Sequence, residues 1–188
     1  MCVWDPKHLD ERGGCDPVKI NAATFILWKG HCSVHKLFRA EHVDQIRCEW
    51  PDVTVVVHPE CCYEVVQKAD HVGSTEGIKE AIENAKPGTR WSVGTEVHMV
   101  NRLARAAAKR NVSVRILSDC QCLCTTMYRI DLPHLLWTLD NLAEDHVANQ
   151  IKVHSRVRRW ALVALDRMLT ISARSNIPPA KVVVNTLS

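Results

Sequence analysis

The sequence lacks the features that would place it in a membrane or on a nucleic acid. No apolar run reaches the ~18 residues that a membrane-spanning helix needs, and residues 1–10 lack the apolar core of a signal peptide. The 24 basic and 21 acidic residues give a net charge of only +3, and the basic residues are scattered. We therefore expect no membrane and no nucleic-acid partner, and we expect a cytoplasmic protein.

The sequence also lacks any Cys-x-x-Cys pair, although it contains nine cysteines and ten histidines. Structural zinc sites favour two such pairs, so this absence argues against one. An odd number of cysteines without an export signal argues against a disulfide scaffold. Clustered cysteines in a reducing compartment indicate metal binding or redox chemistry instead. We expect Cys48, which stands alone on a predicted helix, to be buried by packing.

The middle of the 188-residue chain alternates short apolar, β-branched runs with amphipathic segments. Predicted strands cover 23–28, 53–57, 71–73, 91–93 and 112–117, and predicted helices cover 39–50, 60–69, 74–85 and 96–109. This order predicts a three-layer α/β/α fold with a short parallel sheet, and we expect strand 23–28 to be buried in it. Two more helices follow, capped by Asp131 and Ser155, with the apolar face of the second turned inward.

Chemically capable side chains follow every predicted strand. In a parallel sheet the carboxyl ends of the strands share one edge, where ligands bind and where helix N-termini attract anions. The groups at this edge are His31, Cys32 and His35; His58, Glu60 and Cys61; Ser74 and Thr75; Thr95 and Glu96; and Cys120, Cys122 and Cys124. Simpler roles stay open for some of them, because Ser74 or Thr75 can merely cap a helix and Glu96 suits a first helical turn.

Five strings stand out at these positions: GHCSVH at 30–35, HPEC at 58–61, ADHVGST at 69–75, GTE at 94–96 and CTTM at 124–127. They resemble, in the same order, five segments of the quinolinate synthase family, and the match runs from about residue 25 to residue 168. The resemblance implies an enzyme of de novo NAD biosynthesis that condenses iminoaspartate with dihydroxyacetone phosphate, with a functional link to L-aspartate oxidase.

The resemblance also implies a cofactor and a set of site residues. The family has three similar α/β domains, and each supplies one cysteine to a 4Fe–4S cluster. Cys32 and Cys124 match two of these ligands, whereas Cys61 matches a cysteine that is not a ligand. Glu60 is the expected general acid/base, and His35 and His58 are expected to hold a substrate carboxylate or oxyanion. Ser74 and Thr75 are expected to cradle a phosphate or carboxylate, with Thr75 preferred.

The resemblance divides the chain into four parts: the end of a preceding α/β domain at 1–31, a complete domain at 32–124, C-terminal helices at 125–174, and a tail at 175–188. The first domain and the third cysteine ligand are expected outside this chain. The chain is then a fragment, a truncated product, or one part of a split enzyme whose missing domain comes from a separate chain.

We expect the chain alone to be inactive. An apolar face formed by Trp28, Phe38 and helix 155–174 is expected to be exposed. Two other functions stay open: a non-catalytic remnant that binds zinc or no metal, and a different α/β hydro-lyase that carries a cluster.

Overall fold

A computed structural model of the chain describes residues 1–118 and 123–174. The strands are β1 (Cys2–Trp4), β2 (Ile26–Trp28), β3 (Thr54–Val57), β4 (His71–Val72), β5 (Arg90–Gly94) and β6 (Ser113–Ile116). The α-helices are α1 (Pro17–Ala22), α2 (Ala40–Glu49), α3 (Tyr63–Lys68), α4 (Thr75–Glu83), α5 (Val97–Ala108), α6 (Leu132–Ala143) and α7 (Ser155–Arg174). Single 3₁₀ turns cover His35–Leu37 and Met127–Arg129.

The main sheet is parallel throughout, with the strand order β4-β3-β5-β6. Val57 pairs with Val72 on one side and with Gly94 on the other, so three neighbouring strands end at the same level. The segments that follow these strands therefore meet at one edge of the sheet.

The valine run of β3 shows why helices cover both faces of this sheet. Val55 and Val57 pack into a core cluster with residues of α2 and α3, whereas Val56 packs into a second cluster with residues of α4 and α5. All three valines are almost completely buried. A strand buried on both faces loses the apolar–polar alternation of a half-exposed strand, as this run does. The predicted three-layer α/β/α arrangement is confirmed.

The first predicted strand does not belong to this sheet. Ile26–Trp28 pairs with Cys2–Trp4 in a separate parallel sheet of two strands. Its side chains are exposed, with Ile26 at 53% and Trp28 at 65%, so the prediction of a buried strand was wrong. An apolar run shows that a strand suits burial but not which part of a protein covers it. The boundary expected at residue 31 stays a prediction, and the expected tail at 175–188 lies outside the described residues.

The C-terminal helices begin where the sequence predicted, but their apolar faces are not buried. Asp131 caps α6, and its carboxylate accepts the backbone N–H of His134 at 2.9 Å. The leucines of α6 are between 46% and 80% exposed. On α7, Val157, Met168 and Ile171 are also more than half exposed, so their predicted inward packing was wrong, whereas the expected exposure of helix 155–174 and of Trp28 is confirmed. None of the helices in the described ranges has the length and apolar character needed to cross a bilayer.

Phe38 is buried completely, which corrects its expected place on an exposed face. It packs in the same cluster as Val43 and Val57. We expect Phe38→Ala to lower the free energy of unfolding by about 3–5 kcal/mol, because it leaves a large cavity in the core. Phe25, which is 66% exposed, provides the matched control, and Phe25→Ala should change stability by less than about 0.5 kcal/mol. Urea unfolding of both variants measures this, and equal losses would contradict the assignment of Phe38 to the core.

Candidate active site

The candidate site lies at the carboxyl edge of the main sheet, where β3 turns sharply after Val57. The backbone N–H of His58 donates to the carbonyl of Gly94 at the end of β5, at 3.1 Å. The N–H of Cys61 then donates back to the carbonyl of His58 at 3.0 Å. This tight turn holds His58 and Glu60 beside the end of the neighbouring strand.

Four side chains from three separate parts of the sequence meet at this turn. Nδ1 of His35 lies 3.0 Å from Oε2 of Glu60, and Nε2 of the same ring lies 3.1 Å from Oγ1 of Thr95. The ring of His58 stacks on the ring of His35 with centroids 4.2 Å apart and planes at 6°. His35 is buried, whereas the Glu60 side chain is 56% exposed. A carboxylate that a substrate can reach is thus backed by a fixed imidazole.

His58 is arranged to remain neutral. Its Nδ1 accepts the backbone N–H of Glu60 at 3.3 Å, which requires that nitrogen to be unprotonated. Burial lowers the pKa of His58, the nearby His35 lowers it further, and the carboxylate of Glu60, with an oxygen 3.7 Å from Nδ1, opposes this shift.

The lowered pKa of His58 gives the stability a definite pH dependence. The unfolded chain takes up a proton at the ordinary histidine pKa of about 6.5, whereas the folded chain takes it up only at lower pH. The stability due to this group is therefore present above about pH 6.5 and is lost as the pH falls towards the folded pKa. We expect His58→Asn to flatten the fall in urea midpoint below about pH 6.5. The same change at the exposed His31 is the control, and an unchanged slope for His58→Asn would contradict the assignment.

The cysteines near the site fall into two kinds. Cys32 and Cys124 are half-buried and pack against the same core cluster. The sulfur of Cys32 and ligand atoms of His35 and Glu60 all lie within 4.8 Å of one another. Cys61 is buried, its sulfur lies 3.6 Å from the Gly94 carbonyl oxygen, and burial is the main cause that raises its pKa to about 12.

The difference in burial between these cysteines indicates which of them suit an iron–sulfur cluster. Clusters bind thiolates, so the half-buried Cys32 and Cys124 fit such a group, whereas Cys61 does not because burial keeps it protonated. Cys120 and Cys122, which match no family ligand, lie outside the described residues. Every cysteine in the described ranges is free of disulfides.

Cys48 is exposed on α2, so the prediction that packing buries it was wrong. Together with Cys61 it predicts a pattern of thiol reactivity. We expect iodoacetamide to label Cys48 in the native chain and to label Cys61 only after unfolding, because the buried thiol is protonated. Mass spectrometry of the labelled peptides measures this. Native labelling of Cys61 at the rate of Cys48 would contradict the buried position.

Ser74 and Thr75 lie at the end of β4, beside the turn after β3. Ser74 caps α4, with its hydroxyl accepting the backbone N–H of Gly77 at 3.2 Å, and Thr75 is the first helical residue. Both are exposed. The structure brings His35, His58 and Glu60 into contact, and among the described residues no hydrogen bond joins these three to Ser74 or Thr75. That Ser74 and Thr75 line the same site stays a prediction.

Thr95 and Glu96, which the sequence placed at this edge without assigning them a catalytic or binding role, both take part in it. Thr95 is 3% exposed and contacts His35. Glu96 caps α5, and its Oε2 accepts the N–H groups of His98 and Met99 at 2.9 and 3.1 Å. Its buried Oε1 has no hydrogen-bond partner among the residues that the structure describes. The string GTE after a strand was the available signal, but the contact of Thr95 depends on strand register.

Fold and site together define a class: an α/β protein that combines an imidazole–carboxylate pair with accessible thiols at the carboxyl edge of a parallel sheet. Residues 14–170 match the family described as quinolinate synthetase A protein, and the chain belongs to that family.

Proteins named quinolinate synthase from three bacteria illustrate the similarity. The one from Acidobacterium capsulatum is 54% identical over 91% of this chain and 45% of its own length. The one from Rhodopirellula baltica is 50% identical over 91% of this chain and 43% of its own length. The one from Staphylococcus carnosus is 45% identical over 92% of this chain and 46% of its own length. The chain thus spans less than half the length of these relatives.

Proposed function

We propose that this chain supplies part of the active site of a quinolinate synthase, which forms quinolinate from iminoaspartate and dihydroxyacetone phosphate. The observation that carries the proposal is the contact of His35 with Glu60 beside the thiol of Cys32. The reaction joins two small anionic molecules, loses phosphate and water, and closes a ring. It therefore needs groups that move protons and groups that hold anions.

Glu60 is the proposed general acid/base. Its side chain is 56% exposed, so a substrate can reach the carboxylate, while His35 holds Oε2 from the protein side. A carboxylate oriented in this way can take a proton from the carbon or nitrogen of one intermediate and return it to a leaving oxygen of the next. The second carboxylate oxygen remains available for that exchange.

His58 and the residues after β4 are proposed to hold the anionic groups of the substrates. The Nδ1 of His58 accepts a backbone N–H, so its Nε2 carries the proton and can donate it to a substrate carboxylate or oxyanion. Ser74 and Thr75 open α4, where backbone N–H groups and the helix dipole favour a phosphate or carboxylate. We assign the closer contact to Thr75, because Thr75 is the first residue of the helix.

Cys32 and Cys124 are proposed to hold a 4Fe–4S cluster. Such a cluster, bound by three thiolates, offers an open iron that acts as a Lewis acid. The half-buried positions of the two thiols, against the same core cluster as the site turn, support this assignment.

The test is to supply the part of the fold that this chain does not span. The chain is produced together with the upstream part of the A. capsulatum relative, purified without oxygen, and reconstituted with iron and sulfide. We expect thiolate-to-iron absorption and quinolinate formation, with both lost in Cys32→Ser and kept in Cys48→Ser, which changes an exposed thiol. An assembled protein that binds no iron and forms no quinolinate would refute the proposal.

A second candidate function is a non-catalytic domain that binds zinc. The group of Cys32, His35 and Glu60 favours it, because sulfur, nitrogen and carboxylate oxygen are all ligands that zinc accepts. Anaerobic purification of the chain assembled with the upstream part of the A. capsulatum relative distinguishes the two candidates, because the proposed cluster takes a third thiolate from outside this chain. A colourless protein that holds one zinc ion and loses it in His35→Gln supports the zinc-binding domain, whereas a brown, iron-containing protein supports the enzyme.

A further inference from the structure

Thr95 is a buried residue that the proposed function leaves without a role, and it lies directly against His35. Only 3% of its surface is exposed, and its hydroxyl is 3.1 Å from Nε2 of the ring. The other ring nitrogen is 3.0 Å from Glu60. Both in-plane positions of the imidazole are therefore occupied, one by a carboxylate and one by a hydroxyl.

We propose that Thr95 is a positioning residue that holds His35 in the tautomer with its proton on Nδ1, so that the ring donates to Glu60. The inference deepens the proposed function, because it rests on the role of Glu60 in proton transfer. It adds the residue that follows β5 to a site otherwise built from the segment before α2 and the turn after β3.

The direction of each hydrogen bond follows from the chemistry of the partners. An ionised carboxylate can only accept, so the contact with Glu60 requires a proton on Nδ1. A neutral imidazole then has an unprotonated Nε2, which needs a donor. A hydroxyl can donate as well as accept, so Thr95 can satisfy Nε2 in this tautomer.

Among the described neighbours of the His35 ring, Thr95 is the residue placed to donate a hydrogen bond to Nε2. The ring of His58 lies parallel to that of His35 at 6°, so it covers a face and cannot hydrogen-bond in the ring plane. Thr95 itself follows Gly94, which pairs with Val57 in the sheet. The pairing of β5 with β3 thus fixes the backbone immediately before Thr95, which helps to place its hydroxyl beside His35.

The arrangement has a consequence for Glu60. The Nδ1–H of His35 donates to Oε2 of Glu60 and so fixes the orientation of the carboxylate that is proposed to accept a proton. Loss of the hydroxyl would leave a buried ring nitrogen without a donor and free the ring to change tautomer or orientation. Thr95 would then act on the acid/base group through His35 and not through substrate.

The test uses the 188-residue chain labelled with ¹⁵N-histidine, at a pH of about 8, above the ordinary histidine pKa of about 6.5. The signals of His35 are identified by their loss in His35→Gln. We expect a protonated Nδ1, an unprotonated Nε2 and a slowly exchanging Nδ1 proton. Thr95→Ser, which keeps the hydroxyl, should preserve all three. Thr95→Val should give mixed tautomers and at least about tenfold faster exchange of that proton.

Several outcomes would overturn the proposal: a proton on Nε2 in the unchanged chain, two protonated nitrogens, or wild-type signals in Thr95→Val. If Thr95→Val does not fold, the tautomer of the unchanged chain and the result for Thr95→Ser still decide the question. None of these readouts requires turnover. Failure of the quinolinate assay would therefore leave the tautomer result intact. A proton on Nε2 of His35 would refute the positioning role of Thr95 but would not contradict the proposed activity.

Discussion

Replacing Glu60 by glutamine is expected to slow quinolinate formation by about 10²–10⁴-fold in the chain assembled with the upstream part of the A. capsulatum relative. Glutamine keeps the size of the side chain, and its amide oxygen can still accept from His35. It cannot take up a proton at neutral pH, so the variant loses proton transfer while the shape of the site is preserved. The thiolate-to-iron absorption should stay unchanged, because the proposed role of Glu60 does not involve iron.

Glu64 provides the matched control for this experiment. It lies exposed in the first turn of α3, four residues from Glu60, and Glu64→Gln removes the same charge without touching the site. The rate of quinolinate formation and the absorption spectrum are measured on the same samples of both variants. Together they distinguish loss of proton transfer from loss of iron. Loss of the iron absorption in Glu60→Gln would show that the carboxylate is a ligand, and an unchanged rate would assign the proton transfer to another group.

The main sheet was predictable from the sequence because its signals are local. The valine run of β3 is short, β-branched and apolar on both faces, which predicts a central parallel strand. The helices that cover this sheet have N-caps such as Ser74 or an apolar periodicity that marks their buried side. Each of these signals depends on neighbouring residues only, so the layer order could be derived without knowledge of tertiary contacts.

Two of the errors share one physical cause. The strand at 26–28 and helix α7 carry apolar faces that the sequence marks for burial, yet these faces are exposed in this chain. Hydrophobic periodicity states that a face prefers to leave water but does not identify what covers it. Because the chain spans less than half the length of its relatives, the surface that covers such a face can belong to residues outside the chain.

Some contacts in the candidate site could be predicted from adjacent residues, whereas others depend on residues that are distant in the sequence. His58 and Glu60 stand in one turn, so their proximity is encoded by adjacent residues. The contact of His35 with Thr95 joins positions 60 residues apart, and it exists because β3 and β5 pair in one register. A shift of that register by one residue would turn every side chain of β5 to the other face. The role of Thr95 therefore emerged from the structure.

The chain alone is expected to form no measurable quinolinate. The two proposed ligands, Cys32 and Cys124, would provide two thiolates, whereas a cluster with one open iron takes three. The carboxylate of Glu60 is 56% exposed, so water enters freely and substrates are poorly positioned. Positioning and water exclusion together are worth several kcal/mol, or about 10³-fold or more in rate.

The measurement compares three anaerobically reconstituted samples: the chain alone, the chain with the upstream part of the A. capsulatum relative, and that assembly carrying Cys32→Ser. We expect turnover only in the second sample, because only that sample has a complete ligand set and a closed pocket. The third sample is the control for activity contributed by the relative's part itself. Robust turnover by the chain alone would show that the residues it shares with its relatives suffice for catalysis, and it would overturn the assignment of a third thiolate to another part of the family fold.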